Sequence, residues 1–538
     1  MSNAEALWPR RTLGEVLARN AAQWPAQEAL VISGRRLDYA ALWQQVQQVA
    51  AGLHALGIRR GDHVGVCMGN SIEWVLFFYA AATLGAVTVP VNTRFKRDEF
   101  EYCLKQADVK LLFVIDHFLK IDFIAMLRGF CPAVHRNLPD AALPLLEHVV
   151  VLGDDAPRGA IGFDALLERG AQGAAARHDV DAGDVLLMQF TSGTTSYPKG
   201  VMLTHDNMLR NAAYVARRFD CRAGDRYFSA RPFYHVAGTT LSLLAALASG
   251  ACLLSWPHFD AGEALRVMSD EGCTLTSGND TMFLMMLNHP EFEQRPLKLR
   301  GGWASAGIEV TQKIIARMGM KGVCQAYGLS EASPNVCMSF YTDDIEKRIH
   351  GWAHLLDDVE VRIVDRESGA DQPPGKTGEI LIRGWSVMKG YYKMPEQTAK
   401  AIDADGWLHS GDLGVMDEDG RLRFLTRIKD VFRVGGENVA PAEVEDVLHK
   451  HPKIKQAQVI GVPDPRLVEV PAAYVILREG ETATPDEIIA WSKERMANFR
   501  VPRYVKFIDT FENIGMTGSS KVQKNKLRAQ ALIDFELQ

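Results

Sequence analysis

The sequence is poor in cysteine, with eight in 538 residues and no C-x-x-C pair among them. They stand far apart, at positions 67, 103, 131, 221, 252, 273, 324 and 337. That spacing argues against a zinc cluster or a disulfide framework and fits a reducing, cytoplasmic setting. Charge of one sign is also lacking, since 60 Lys and Arg against 66 Asp and Glu leave a formal −6. No basic excess calls for nucleic acid or an anionic membrane as partner. A low-complexity linker is missing, and the N-terminus has no apolar run after a basic start, so no signal peptide is expected.

Long hydrophobic runs are scarce. Residues 74–91 and 239–257 are uncharged and close to the minimum length for crossing a bilayer. Each divides at a glycine, Gly85 or Gly250, into a helix-like half (WVLFFYAAATL, TLSLLAALAS) and a strand-like half (AVTVPV, ACLLS). Buried helix, turn and strand is the better reading, and no integral membrane segment is expected. Both runs follow a Gly-Asp turn, at Gly61-Asp62 and Gly224-Asp225. A turn, short strand, helix, glycine and second strand make a βαβ unit, here used twice. Two related α/β lobes are expected over about 1–180 and 181–355, although chance similarity of two such units is the competing reading.

From about 356 the texture changes. VEVRIVD and GEILIRG read as strands around a Gly-, Pro- and Asp-rich loop, suggesting a β-rich subdomain over about 356–428. Beyond RIKD, the segments PAEVEDVLHKH, QAQVIGV, AAYVILRE, PDEIIAWSKERMA and YVKFID alternate helix and strand. They suggest a small C-terminal α+β domain over 429–538.

The strongest local signal is TSGTTSYPKG, from Thr191 to Gly200, directly after the apolar strand VLLMQF. Hydroxyls, glycines and one lysine make a loop dense in donors, suited to a polyphosphate. It is no Walker A loop, because Pro198 stands where that motif has its last glycine. A plain Ser/Thr-rich turn is the structural alternative. The stretch GADQPPGKT, from Gly369 to Thr377, is a decoy: five residues separate its glycines, and its prolines offer no N–H to a phosphate. Further short motifs follow at YGLSE (327–331), GWLHSGD (406–412), RIKD (427–430) and SSKVQK (519–524).

In this order, nearly end to end, these motifs resemble the adenylate-forming superfamily of acyl-CoA synthetases, luciferases and peptide-synthetase adenylation domains. The pattern stands nearest to fatty-acid or alicyclic and aromatic acyl-CoA synthetases. The resemblance implies an α/β fold, with an N-terminal AMP-binding domain over 1–428 and a mobile C-terminal domain. It also implies a two-step reaction: a carboxylate is adenylated by Mg-ATP with release of pyrophosphate, and the acyl group then passes to a thiol. The chief catalytic need is a cation where carboxylate and α-phosphate are pressed together.

By resemblance that cation is Lys521; otherwise it reads as a solvated lysine beside Lys524 and Lys526. Thr191, Ser192, Gly193, Thr194, Thr195 and Lys199 would hold the phosphates, and Glu331 the magnesium. Asp412 and Arg427 would take the ribose. Tyr327, Gly328 and Ser330 would form the adenine side opposite Ser305, Ala306 and Gly307. Lys429 occupies the hinge position. Gly435 and Gly436 would line a pantetheine tunnel, with a simple hairpin turn as the alternative. Three positions depart from the usual pattern: Ser196 and Ser520 stand for glycine, and Ser330 for threonine.

The segment PFYHVAG (232–238) resembles the border of the acyl pocket, with His235 as a gate or, alternatively, a core histidine. Phe233, Thr239, Trp303, Val336 and Met338 are candidate walls. No motif-linked Arg or Lys is evident for a second carboxylate, which favours a hydrophobic monocarboxylic acid: medium-chain, alicyclic or aromatic. No carrier domain is evident, so free coenzyme A is the expected acceptor, ahead of a separate carrier protein. A non-catalytic ATP-binding module would leave Lys521 without a task. Oligomer formation stays open.

Overall fold

The computed structural model describes residues 8–173, 179–191, 198–435, 437–516 and 522–537. Both suspected membrane runs fold as buried helix and strand. In the first, Ser71 caps the helix Ile72–Leu84 by accepting the Trp74 N–H, and Gly85 ends it in the left-handed conformation at φ 73°. Every residue of this helix except Thr83 is buried, which is why it shows no polar face. Strands His63–Cys67 and Val87–Pro90 then pair in parallel. The second unit repeats the plan: strands Arg226–Phe228 and Cys252–Ser255 pair in parallel, and Gly250 closes the intervening helix at φ 72°. No helix among the described residues is long and apolar enough to cross a membrane.

The two units lie in different sheets. A seven-stranded sheet contains the first, ordered Lys199–Thr204, Val185–Thr191, Val87–Pro90, His63–Cys67, Leu111–Ile115, His148–Leu152 and Ile161–Gly162. A thirteen-stranded sheet contains the second and continues through Leu275–Asn279, Gly301–Ser305 and Gly322–Gly328 into the antiparallel strands of the β-rich region. Sheet membership crosses the expected lobe division near residue 180. Val185–Thr191 and Lys199–Thr204 join the first sheet, while Glu28–Ile32 pairs in parallel with Cys252–Ser255 of the second. The hairpin return of 199–204 onto 185–191 keeps the hydroxyl-rich segment with the lobe before it.

The C-terminal strands form a separate sheet: Glu437–Val439, Phe432–Val434, Val468–Leu477 and Ile454–Asp464, with Tyr504–Phe507 beside Val468–Leu477. Among the described residues, its hydrophobic core draws only on those from Phe432 onward, including Val459, Tyr474, Ile488 and Leu527. The overall architecture is α/β, with a large N-terminal part and a smaller C-terminal one, as expected.

Candidate active site

Ser192, Gly193, Thr194, Thr195, Ser196, Gly436, Ser520 and Lys521 lie outside the described residues. The ends of their segments are fixed nonetheless. Thr191 and Lys199 are register partners across an antiparallel pair, so the hydroxyl-rich segment is the connection of a hairpin. Met516 and Val522 bridge in antiparallel fashion on either side of the Lys521 segment.

Lys199 meets Glu331 through a residue that sequence reasoning missed. The Lys199 Nζ lies 4.6 Å from the ring centre of Tyr391, and the Tyr391 hydroxyl donates to Glu331 Oε1 at 2.9 Å. Burial, then the Glu331 charge, raises the Tyr391 phenol so that it stays a donor. Segment 389–392 gets there by backbone pairing: Lys389 and Tyr392 N–H donate to the carbonyls of Met202 and Gly200, and Met202 N–H to Gly390 O. Ser330 and Glu331 form a short turn, and the Glu331 carbonyl accepts the Met388 N–H. Gly328 is obligatory here, because a Cβ would fall 1.9 Å from the Pro334 carbonyl oxygen.

A second group assembles around Asp412, which is buried. It accepts the Tyr327 hydroxyl at 2.8 Å through Oδ2. Its other oxygen lies 3.8 Å from Arg427 Nε, its register partner on the neighbouring strand. Burial and the Asp412 charge push the Tyr327 phenol well up. One face of the Tyr327 ring is stacked on Phe424 (centroids 5.1 Å apart, 11° between planes), a partner absent from the sequence reading. Lys429, in the short turn after Arg427, is an exposed side chain whose amine is lowered by partial desolvation and by the Arg427 charge.

Ser305, Ala306 and Gly307 leave the end of strand Gly301–Ser305. Gln325 donates to the Ala306 carbonyl at 3.0 Å, and the Gly307 N–H donates to Asp280 Oδ1 at 2.8 Å. Gly307 is also where the C-terminal domain comes close. A Cβ there would sit 3.2 Å from Asp446 Oδ1, on the helix Pro441–Leu448. Gly435 has φ +58° in a tight hairpin between Phe432–Val434 and Glu437–Val439, and its N–H donates to Leu467 O. Lys524 forms an ion pair with Glu445 at 2.6 Å.

In the PFYHVAG segment, His235 Nδ1 accepts the Ala237 N–H at 3.1 Å, so neutral His235 carries its proton on Nε2. Gly238 allows the sharp turn, since a Cβ would meet the Pro232 carbonyl oxygen at 2.1 Å. A π-helical turn, Thr239–Leu244, follows at once, a distortion that often accompanies functional sites. Thr239 spends its hydroxyl on the His235 carbonyl at 3.3 Å. Phe233, Val336, Met338 and Trp303 are all buried in one core cluster. Trp303 is not a purely apolar wall: its indole N–H donates to Tyr227 OH at 2.9 Å, and the Arg231 guanidinium lies 4.3 Å from its ring centre.

The chain is similar to known proteins over nearly its whole length. The AMP-binding enzyme family model matches residues 17–392, and the AMP-binding enzyme C-terminal domain matches residues 443–521. The chain is 37% identical to the putative acyl-CoA synthetase YngI of Bacillus subtilis (strain 168), covering 98% of each chain. It is 35% identical to the mitochondrial medium-chain acyl-CoA ligase ACSF2 of Rattus norvegicus, over 97% of this chain and 87% of that one. Among solved structures, the anthranilate CoA ligase AuaEII in complex with anthranoyl-AMP superposes with a TM-score of 0.88, at 26% identity and full coverage of both chains. The chain belongs to the AMP-binding enzyme family, among its acyl-CoA synthetases, the AMP-forming acid–thiol ligases.

Proposed function

We propose that the enzyme adenylates a carboxylic acid with a hydrophobic body, medium-chain, alicyclic or aromatic, and transfers the acyl group to free coenzyme A. The observation that carries this reading is the convergence of Lys199 and Glu331 on Tyr391 at the base of the hydroxyl-rich hairpin. A cation and a carboxylate held side by side there suit a polyphosphate and its counter-ion. The Glu331 carboxylate fits magnesium, a hard cation that takes few protein oxygens and keeps waters and phosphates for the rest. Bound with ATP, the ion would neutralise phosphate charge.

In the first step, a substrate carboxylate oxygen attacks the α-phosphorus and pyrophosphate leaves. Asp412 and Arg427 hold the ribose, Tyr327 and 305–307 the adenine, and Lys521 offsets the two approaching negative charges. In the second step, the thiolate attacks the acyl carbon and AMP departs. His235 stands between acid and thiol path. The chain divides at 428/429, and rotation about Lys429 exchanges the Lys521 segment for the Gly435-Gly436 hairpin. Eight free, buried cysteines support a cytoplasmic, reducing setting.

An acid panel with ATP, magnesium and CoA tests the reading. Wild-type enzyme should release pyrophosphate and form a thioester. Lys521→Ala should lower adenylate formation about 100- to 1,000-fold while leaving thioester formation from supplied acyl-adenylate largely intact. Equal loss of both steps would remove Lys521 from the role. Pyrophosphate without thioester would make a carrier protein the acceptor.

A further inference from the structure

Arg231 directly precedes the PFYHVAG segment, and it is only 6% exposed. Its Nε and Nη2 are buried and make no hydrogen bond among the described residues, and it forms no ion pair there. The guanidinium carbon lies 4.3 Å from the centre of the Trp303 ring, and Tyr227 is close enough to act on its charge. The polar groups nearby are already used by one another. Trp303 Nε1 donates to Tyr227 OH, Tyr227 OH to Ser277 Oγ at 2.8 Å, and Ser277 Oγ to Ser229 Oγ at 3.3 Å. Ser229 Oγ pairs with Ser242 Oγ at 2.9 Å, and Ser242 Oγ donates to Ala237 O. The Arg231 backbone is pinned as well, by Asn70 Nδ2 on its carbonyl, and the Asn70 oxygen takes the Phe233 N–H.

A buried guanidinium with vacant donors is costly, and arginine stays charged in any protein environment. Desolvation lowers it only to about 10, so the charge persists at neutral pH. Such a group is retained where something outside the chain completes it. It stands four residues before His235 and lies on Trp303, a candidate acyl-pocket wall.

We propose that Arg231 recognises an oxygen acceptor on the hydrophobic body of the acid substrate, remote from the carboxylate that is adenylated. The charge favours a second carboxylate, because a guanidinium fork pairs with it through two parallel bonds. A carbonyl or hydroxyl oxygen shares the same recognition chemistry. This rests on the ligase reading above and narrows it: the pocket has an apolar wall with one cationic end, and a plain alkyl or phenyl acid leaves that end unpaired.

The test compares matched acids: octanoate, 8-hydroxyoctanoate, 8-oxooctanoate and octanedioate, the same four forms at six and ten carbons, and benzoate beside 3- and 4-carboxybenzoate. The readout is kcat/KM for thioester formation with the wild-type enzyme, Arg231→Met and Arg231→Lys. Wild type should favour an acceptor-bearing member over its plain partner by at least about tenfold at some length, since a site with unpaired buried donors rejects the analogue that lacks the group. Arg231→Met should reverse that preference, raising the plain acid and lowering the acceptor-bearing one. Arg231→Lys should retain part of it. Melting temperature separates recognition from folding: removing an unpaired buried charge should hold or raise Tm in Arg231→Met.

Equal or better rates with plain acids at every length in the wild type would overturn the proposal. So would an unchanged preference in Arg231→Met, or a fall in Tm with loss of both kinds of acid, which marks a structural arginine. Thioester from plain acids alone would leave the ligase reading standing and sink only this one; no thioester from any acid would sink both.

Discussion

The two βαβ units follow one plan and have different tasks. Each runs from a glycine turn (φ 84° at Gly61, 89° at Gly224) through a strand and helix to a left-handed glycine and a parallel strand. The first has a single regular helix, Ile72–Leu84, and its buried charge is paired, with Glu73 2.6 Å from Arg35. The second breaks its helix into Val236–Gly238, a π-turn over Thr239–Leu244, and Ala245–Ser249. It begins from a histidine cap and keeps Arg231 without an ion pair among the described residues. One scaffold spends its interior on stability, and its twin accepts a distorted helix and a costly charge. Natural proteins break local rules of this kind where function requires it.

The largest contrast should come from Gly238→Ala against Gly85→Ala. At Gly238 the new methyl meets backbone, 2.1 Å from the Pro232 oxygen, so the His235 turn must move. Initial rates with the best acid should fall at least about 100-fold, because catalysis tolerates little misplacement. At Gly85 the cost is a left-handed alanine and the Arg60 side chain 2.9 Å away, about 1–2 kcal/mol of stability in a melting experiment with activity kept. Equal loss of activity in both variants would erase the distinction between the units.

A smaller effect concerns the C-terminal domain, which comes up to the second unit's sheet at Gly307 with Asp446. Burial first, then neighbouring acids, raises Asp446 and the facing Asp280 each to about 6. Glu445, Glu309, Arg423 and Lys450 also act on Asp446. An undocked Asp446 would return to the ordinary carboxylate range, so the docked arrangement holds the proton more tightly. Docking is therefore strengthened as pH falls from 7 through about 6, levels off near 4, and weakens as pH rises. Limited proteolysis around 428–430 should be slower at pH 5.5 than at pH 8, and Asp446→Asn should flatten that difference. An unchanged pH dependence in the variant would assign it elsewhere.

The smallest effect should be shared. Gly61→Ala and Gly224→Ala meet no atom within 4 Å and differ only in backbone strain. Each should cost about 1 kcal/mol by thermal melting, within a few tenths of the other. A gap of several-fold would mean that the two turns are not equivalent.

Much of this was legible along the chain. The glycine breaks at 85 and 250 marked helix ends because only glycine enters the left-handed region cheaply. The order of short motifs identified the family, and Tyr327, Asp412 and Arg427 do come together. Tyr391, Phe424 and Arg231 were missed for one reason: each has its meaning in a partner far away in sequence. Tyr391 lies in an unremarkable GYYKMPE stretch and matters only because 389–392 pairs with 200–202. A search for glycine-flanked aromatics near the end of the family match would have found it. Arg231 adjoins a recognised motif, yet an arginine in sequence is solvated by default, and only burial without a partner changes that reading.

Local chemistry therefore determined the elements, their ends, the family and most of the residues proposed to hold the nucleotide. Backbone preferences and short-range spacing act within a few residues and need no knowledge of the rest. Tertiary structure alone decided which sheet the hydroxyl-rich hairpin joined, which aromatic linked Lys199 to Glu331, and where a charge was left without a counter-ion. Those outcomes depend on burial and on contacts between distant segments, which exist only once the chain has closed on itself.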